Sequence, residues 1–296
     1  MSFHALNRRT FLKTTGIAAA VSLVPTRFLW AAGEHKIDKV GVQLYTVRDL
    51  MKNDFEGTIA KVAQIGYKEV EFAGYFGRTS AQVKAVLDKN GLKAPSTHVQ
   101  YDELDAKFPS VIEFSRAIGL EYIVCPWIPP ELRKSPDIWK QASDKFNKCG
   151  EQTKAAGMQF GYHNHWFEFL PTNGVLPYDE LLRLCDPNLV KMEMDLCWIE
   201  TTGTDPVKYF EKYPGRFPLV HVKDVKTMPK ITSGGAQNFG DTGDLTEVCS
   251  GTIDWKRIFI HSEKAGIKHY IVEHDHPKQP IESIKSSYQY LSKLTW

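Results

Sequence analysis

Five times along this chain a helix-like stretch ends at a glycine and a β-type run begins at once. The junctions are Ile65-Gly66-Tyr67, Asn90-Gly91-Leu92, Ile118-Gly119-Leu120, Ala156-Gly157-Met158 and Ala265-Gly266-Ile267. Glycine tolerates the left-handed conformation that closes many helices, so each triplet reads as helix, stop, strand. The β-type runs cover 39–46, 67–73, 93–99, 121–127, 158–165, 190–196, 217–223 and 268–274. Helical stretches at 54–65, 79–90, 106–118, 135–156, 178–185, 205–213, 254–265 and 281–293 alternate with them. Eight β/α units that close on themselves predict an α/β fold, the (β/α)8 TIM barrel. The competitor is an open doubly wound sheet, which would favour a glycine-rich phosphate loop after its first strand. The chain reads Tyr45-Thr46-Val47-Arg48-Asp49 there and contains no G-x-G-x-x-G, which disfavours a dinucleotide site. The longest non-periodic segment, 225–252, is expected to form or cover the active site at the barrel mouth.

The N-terminus reads as an address. Asn7-Arg8-Arg9-Thr10-Phe11-Leu12-Lys13 is a twin-arginine signature, a mildly apolar stretch runs from Thr14 to Val24, and Ala31-Ala32-Gly33 offers a cleavage site. That order is the order of an export signal. The apolar stretch is too short to span a bilayer stably. The expected organisation is a twin-arginine export signal over 1–33 and a single barrel domain over 34–296. The expected partners are the twin-arginine export machinery and a small-molecule substrate, and the expected location is the periplasm. The sequence leaves a homo-oligomer open.

Charge and cysteine usage exclude several classes. Loss of residues 1–33 removes Arg8, Arg9, Lys13 and Arg27 and no acid, so a formal charge of +2 becomes −2. A slightly acidic chain without a long Lys/Arg run gives no electrostatic case for nucleic acid or an anionic membrane. Cys125, Cys149, Cys185, Cys197 and Cys249 are odd in number and form no C-x-x-C pair, which argues against a disulfide framework.

In a barrel, side chains at the C-terminal ends of the strands meet at one mouth. Short apolar runs bring metal-competent residues there: His163, His165 and Glu168 from the fifth run, Asp195 from the sixth, His221 from the seventh and Glu273 from the eighth. Three carboxylates and one imidazole suit a single Mn²⁺, Mg²⁺ or Co²⁺ better than a structural zinc. Any one of these residues could instead cap the following helix, but three in successive strands weaken that alternative. Lys223 shares a strand face with His221. Its ammonium either closes a salt bridge at a helix start or stabilises developing negative charge. His98 ends the third run and is a candidate substrate contact. Gln43, Arg48 and Glu71 are interior polar residues or active-site partners. Trp127, Trp166 and Trp198 lie at strand ends, where rings wall a sugar cavity or pack under loops. His274 and His276 alternate away from Glu273.

Most of these residues fall within longer segments: G-V-Q-L-Y-T-V-R-D at 41–49, Y-H-N-H-W-F-E-F at 162–169, M-D-L-C-W at 194–198, D-P-V-K-Y-F-E-K-Y-P-G-R-F-P-L-V-H-V-K-D at 205–224, G-T-I-D-W at 251–255 and V-E-H-D at 272–275. Over essentially all of 34–296 the chain resembles the sugar isomerase/epimerase superfamily with the xylose isomerase-like barrel, in an exported bacterial subgroup. The resemblance implies one divalent cation held by Glu, Asp, His and Glu from strands five to eight. Asp195, His221 and Glu273 match directly. The first Glu does not, because the strand-five tip carries His163 and Asn164. Its role is carried onto Glu168, with His163 or His165 as the alternative, which would make the site more zinc-like.

The resemblance also implies a reaction. The cation polarises a keto-sugar, Glu168 or Glu273 removes the proton beside the carbonyl, and Lys223 stabilises the resulting enediolate. His98, His163, His165 and Trp198 contact the sugar. Reprotonation makes the protein an isomerase or epimerase, the leading expectation. Loss of a β-leaving group makes it a lyase or dehydratase of inososes or 3-keto-glycosides, the alternative. A phosphodiesterase resembling endonuclease IV would need ligands for several zincs and a basic face. A non-catalytic sugar-binding barrel would have no use for the Asp195, His221 and Glu273 set.

Overall fold

The β-type runs become eight parallel strands, each hydrogen-bonded to the next until the last returns to the first. The computed structural model describes residues 35–135, 137–172, 174–229 and 244–296. Its strands are β1 (Val40–Gln43), β2 (Glu69–Phe72), β3 (Lys93–His98), β4 (Tyr122–Cys125), β5 (Gln159–His163), β6 (Val190–Asp195), β7 (Leu219–Val222) and β8 (His269–Val272). They form one closed barrel in sequential order, so the expected TIM barrel is the fold. The expected export signal at 1–33, and residues 230–243 of the long loop after β7, lie outside the described residues. The flanks of that loop pair as a short antiparallel ribbon, Asp224–Val225 with Leu245–Thr246. No described helix is long and apolar enough to cross a membrane. All five cysteines are free thiols.

The helices follow the expected stretches with three differences. A six-residue helix, Arg48–Asn53, precedes the first of them. The stretch 254–265 breaks into Trp255–Phe259 and Ser262–Ala265. At the break the His261 N–H donates to the Ile258 carbonyl, three residues back instead of four, and this tightens the turn. A short helix, Leu196–Thr201, starts directly at the end of β6, where Oδ1 of Asp195 accepts from the backbone N–H groups of Cys197 and Trp198. Asp195 is therefore a helix cap as well as a mouth residue.

The glycine junctions close as the sequence suggests, and two of them differ in a testable way. Gly119 sits at φ 85° with open space where a Cβ would point. Gly266 sits at φ 80°, and a Cβ there would lie 2.8 Å from the Gly215 Cα. Gly119→Ala should cost about 1 kcal/mol through left-handed strain alone. Gly266→Ala adds a backbone collision and should cost roughly 2–3 kcal/mol. Urea unfolding of the two variants measures the gap. Equal midpoints would mean that the Gly215 contact is immaterial.

Strand alternation divides the side chains into two environments. Outward residues such as Val42, Val70, Phe72, Phe160, Met192, Val220 and Val272 join the helices in one large apolar cluster. Inside the barrel the apolar content is small: Tyr122, Val124, Leu219 and Ile271 form a separate cluster of their own. Barrel interiors are usually filled by Val, Ile and Leu layers. Above this small plug the lumen is instead polar, with Gln43, Glu71, His98, His163, Glu193, Asp195, His221 and Glu273 all buried or nearly so.

Candidate metal centre and active site

Two-residue alternation on β6 and β7, and the tips of β5 and β8, bring four donors to one point. Ligand atoms of His163, Asp195, His221 and Glu273 lie within 4.8 Å of one another. The Asp195–His221 neighbourhood follows from strand register, since their Cα atoms are direct partners between β6 and β7. Oδ2 of Asp195 is buried and makes no hydrogen bond. Its one close charged neighbour is the Lys223 ammonium at 3.2 Å, and a cation among these donors would complete its coordination. The donor set therefore fits a divalent metal. With two imidazoles and two carboxylates it is more zinc-like than the expected set of three carboxylates and one imidazole.

Burial and mutual charge set the protonation of these donors. Burial, then the neighbouring His221, pushes the His163 pKa well below its usual value and keeps the ring neutral. Its Nδ1 bonds a Glu193 oxygen at 3.1 Å. A carboxylate can only accept, so Nδ1 carries the proton and the Nε2 lone pair faces Asp195 Oδ2, 3.8 Å away. His221 is held between carboxylates, with Nδ1 2.9 Å from Glu273 and Nε2 2.7 Å from Glu71. Burial opposes its charge, but Glu193, Glu273 and Glu71 outweigh that and raise its pKa well above the ordinary histidine value. Burial raises Asp195 to about 6, against the opposing pull of Lys223 and His221.

Lys223 is in the site. Its Nζ lies 3.2 Å from Asp195, 2.9 Å from Glu273 and 2.9 Å from Asp275, and 4.8 Å from the Trp198 ring centre. Burial opposes its charge, yet the three carboxylates hold the ammonium protonated far above neutral pH. The same ammonium, with His221, overcomes burial to keep Glu273 strongly ionised. A cavity of about 300 Å³ opens over these groups, lined by Tyr45, His98, Trp127, His163, His165, Glu273 and Asp275 among others. Burial lowers the His165 pKa to about 3, and its Nδ1 is buried without a hydrogen bond.

Glu168 is the residue the structure moves out of its expected place. Its Oε1 accepts from Tyr162 Oη at 2.5 Å and its Oε2 from the His165 N–H at 2.9 Å. Both oxygens are committed to Tyr162 and the His165 backbone, and Glu168 is not among the four converging donors. His163 occupies the position that was carried onto Glu168. His98 lines the cavity, but its Nε2 is shared between Glu193 at 2.7 Å and Glu71 at 3.2 Å. His274 and His276 turn elsewhere, toward Ser283 and Arg48. Glu193 and Asp275 were not singled out from sequence. The available signal was alternation, because Glu193 precedes Asp195 by two residues and Asp275 follows Glu273 by two.

With the mouth described, residues 59–294 match the family model of the xylose isomerase-like TIM barrel. The chain belongs to the xylose isomerase-like TIM barrel family. An inosose dehydratase of Lacticaseibacillus casei is 26% identical over 269 residues, covering 80% of this chain and 88% of the relative. A sugar phosphate isomerase/epimerase from Parabacteroides distasonis ATCC 8503 aligns with a TM-score of 0.70 at 27% identity, covering 88% of this chain and 95% of that one. A xylose isomerase-like TIM barrel protein from Mycobacterium smegmatis, solved with magnesium, shares the fold at a TM-score of 0.64 and 12% identity, over 86% and 95% of the two chains. This member of the xylose isomerase-like family is an enzyme of the sugar-processing kind. The curated relative favours the lyase alternative over the isomerase or epimerase expectation.

Proposed function

We propose that the protein is a metal-dependent dehydratase, or related lyase, of an inosose or keto-sugar, using His163, Asp195, His221 and Glu273 as ligands. The observation that carries this is the convergence of those four donors, with Lys223 beside them, next to a cavity that His163 and Glu273 line. A cation held there supplies Lewis acidity that polarises a carbonyl and acidifies the adjacent C–H.

The remaining chemistry belongs to the chain. A base of the cavity lining, where His165 and Glu273 both lie, accepts the proton from the carbon beside the carbonyl. The Lys223 ammonium stabilises the negative charge that develops on oxygen. The C–O bond at the β-carbon then breaks, and the departing hydroxide takes up that proton from the base, releasing water and an unsaturated ketone. Trp127 and Tyr45 wall the cavity and give apolar faces to sugar C–H groups. Likeness to the Parabacteroides protein supports a second reading, in which the same proton returns to carbon and the product is an epimer or isomer.

Incubation of the Mn²⁺-loaded enzyme with inososes and 3-keto-sugars separates the readings. Appearance of an ultraviolet-absorbing enone with loss of one water supports the dehydratase. Deuterium uptake from D₂O without an enone supports the epimerase. A C–H bond that survives turnover rules out both.

We further propose that residues 1–33 take the enzyme to the periplasm by the twin-arginine route, on the strength of the Arg8-Arg9 signature. Replacing both arginines by Lys should hold the protein in the cytoplasm. Unchanged periplasmic yield would overturn that address.

A further inference from the structure

A second set of donors, His98, His163, Glu193 and His221, lies directly against the first and shares two imidazoles with it. It reads at first as a second cation site. Simultaneous occupancy would need both shared rings to bind through both nitrogens, each as an imidazolate, which neutral pH strongly opposes. The nitrogens are in fact divided between the two sides. His221 gives Nε2 to Glu71 at 2.7 Å, with Glu193 at 3.3 Å, and turns Nδ1 to Glu273. His163 gives Nδ1 to Glu193 and turns Nε2 to Asp195.

Resting on the metal reading above, we infer that Glu71 and Glu193 are positioning residues: each fixes the tautomer of one metal-binding histidine, so that Nδ1 of His221 and Nε2 of His163 face the cation. Carboxylates behind metal-bound histidines orient the ring and raise its basicity. Here both carboxylates are wholly buried in the barrel lumen, on β2 and β6. Glu71 is itself anchored. Gln43 Nε2 donates to its Oε1 at 2.7 Å, and the Tyr45 N–H donates to Gln43 Oε1 at 3.0 Å, which fixes the amide orientation. The chain of bonds therefore runs from the cavity wall at Tyr45, down through Gln43 and Glu71, and back up through His221 to the metal position. His98 lies between the two carboxylates, and it is the cation that two adjacent buried acids require. Burial disfavours its charge, but Glu71 and Glu193 raise its pKa to about 10.

The test uses the whole folded enzyme and reads more than turnover. Long-range ¹H–¹⁵N spectra of the zinc-loaded wild-type protein should show His221 metallated at Nδ1 and protonated at Nε2, and His163 the reverse. This measurement needs no variant to fold. In parallel, Glu71→Gln and Glu193→Gln are titrated with Co²⁺ against a chelator. Each should weaken metal affinity by about 10–100-fold while the cobalt absorption of the fully loaded variant keeps its intensity. Purely structural roles would lower the melting temperature and leave affinity within about threefold, well short of the usual effect of such partners. The opposite nitrogens in the spectra, or unchanged affinity in both variants, overturns the assignment while leaving the metal centre standing. Two metals bound by wild type, one of them lost in Glu193→Gln, would make Glu193 a ligand and also overturn it. A wild-type protein that binds no metal removes the centre and the assignment together.

Discussion

His221→Ala should reduce bound metal from about one equivalent to near zero and lower turnover by at least about a thousandfold. Polarisation by a bound cation contributes several kcal/mol to such reactions, and about 4 kcal/mol is a factor of a thousand in rate. The same experiment on Asp195 separates its two duties. Asn is as good a helix cap as Asp, so Asp195→Asn should retain the Leu196–Thr201 helix start and still lose the anionic ligand. Asp195→Ala loses both and should be less stable than Asp195→Asn by about 1 kcal/mol. Metal analysis, turnover and thermal unfolding on the three variants check this. Full metal content in His221→Ala would refute the centre.

Lys223→Met is expected to be the most damaging single change in the mouth. It leaves Asp195, Glu273 and Asp275 facing one another without the ammonium that now lies within 3.2 Å of each. Removing one partner of a buried ion pair commonly costs 3–5 kcal/mol, so a loss of about that size is expected in protein stripped of metal. Added Mn²⁺ should recover much of that stability, because a divalent cation bound to Asp195 and Glu273 compensates the same carboxylates. Turnover should stay low even with metal present, by roughly a hundredfold to a thousandfold, the usual effect of removing one stabiliser of a developing oxyanion. Normal stability without metal, or normal turnover with it, would place Lys223 outside the machinery.

The barrel was legible because its signal is repeated: five glycine junctions and eight apolar runs constrain one another. Asp195, His221 and Glu273 were legible because each ends such a run, where a polar residue has few other reasons to be. The fifth strand was not readable in the same way. His163, Asn164 and His165 are three consecutive polar residues, and sequence does not say which is the last to obey the alternation. The fold settles that His163 points into the lumen, while Asn164 exchanges bonds with the backbone of Asp195. Glu168 looked available because spacing does not reveal that Tyr162 and the His165 N–H already claim its oxygens. Glu193 was hidden between two methionines in a run that reads as core. The choice between elimination and reprotonation was beyond reach for a different reason: both begin with the same proton abstraction and use the same residue types.

The polar lumen has a consequence for how this chain acquires its structure. Glu71 meets His221 across 150 residues of sequence, and His98 meets Glu193 across 95. Near the opposite end of the barrel His269 meets Glu69 across 200. None of these pairs can form in a half-barrel, and loop-closure entropy places such distant contacts late. Until the ring closes, the acids and imidazoles remain hydrated, and only the apolar shell between strands and helices is available to drive assembly. The cross-barrel bonds thus act as a latch that sets last. Hydrogen exchange during refolding should show the outer helices protected before the lumen, with the catalytic mouth appearing only in the final step.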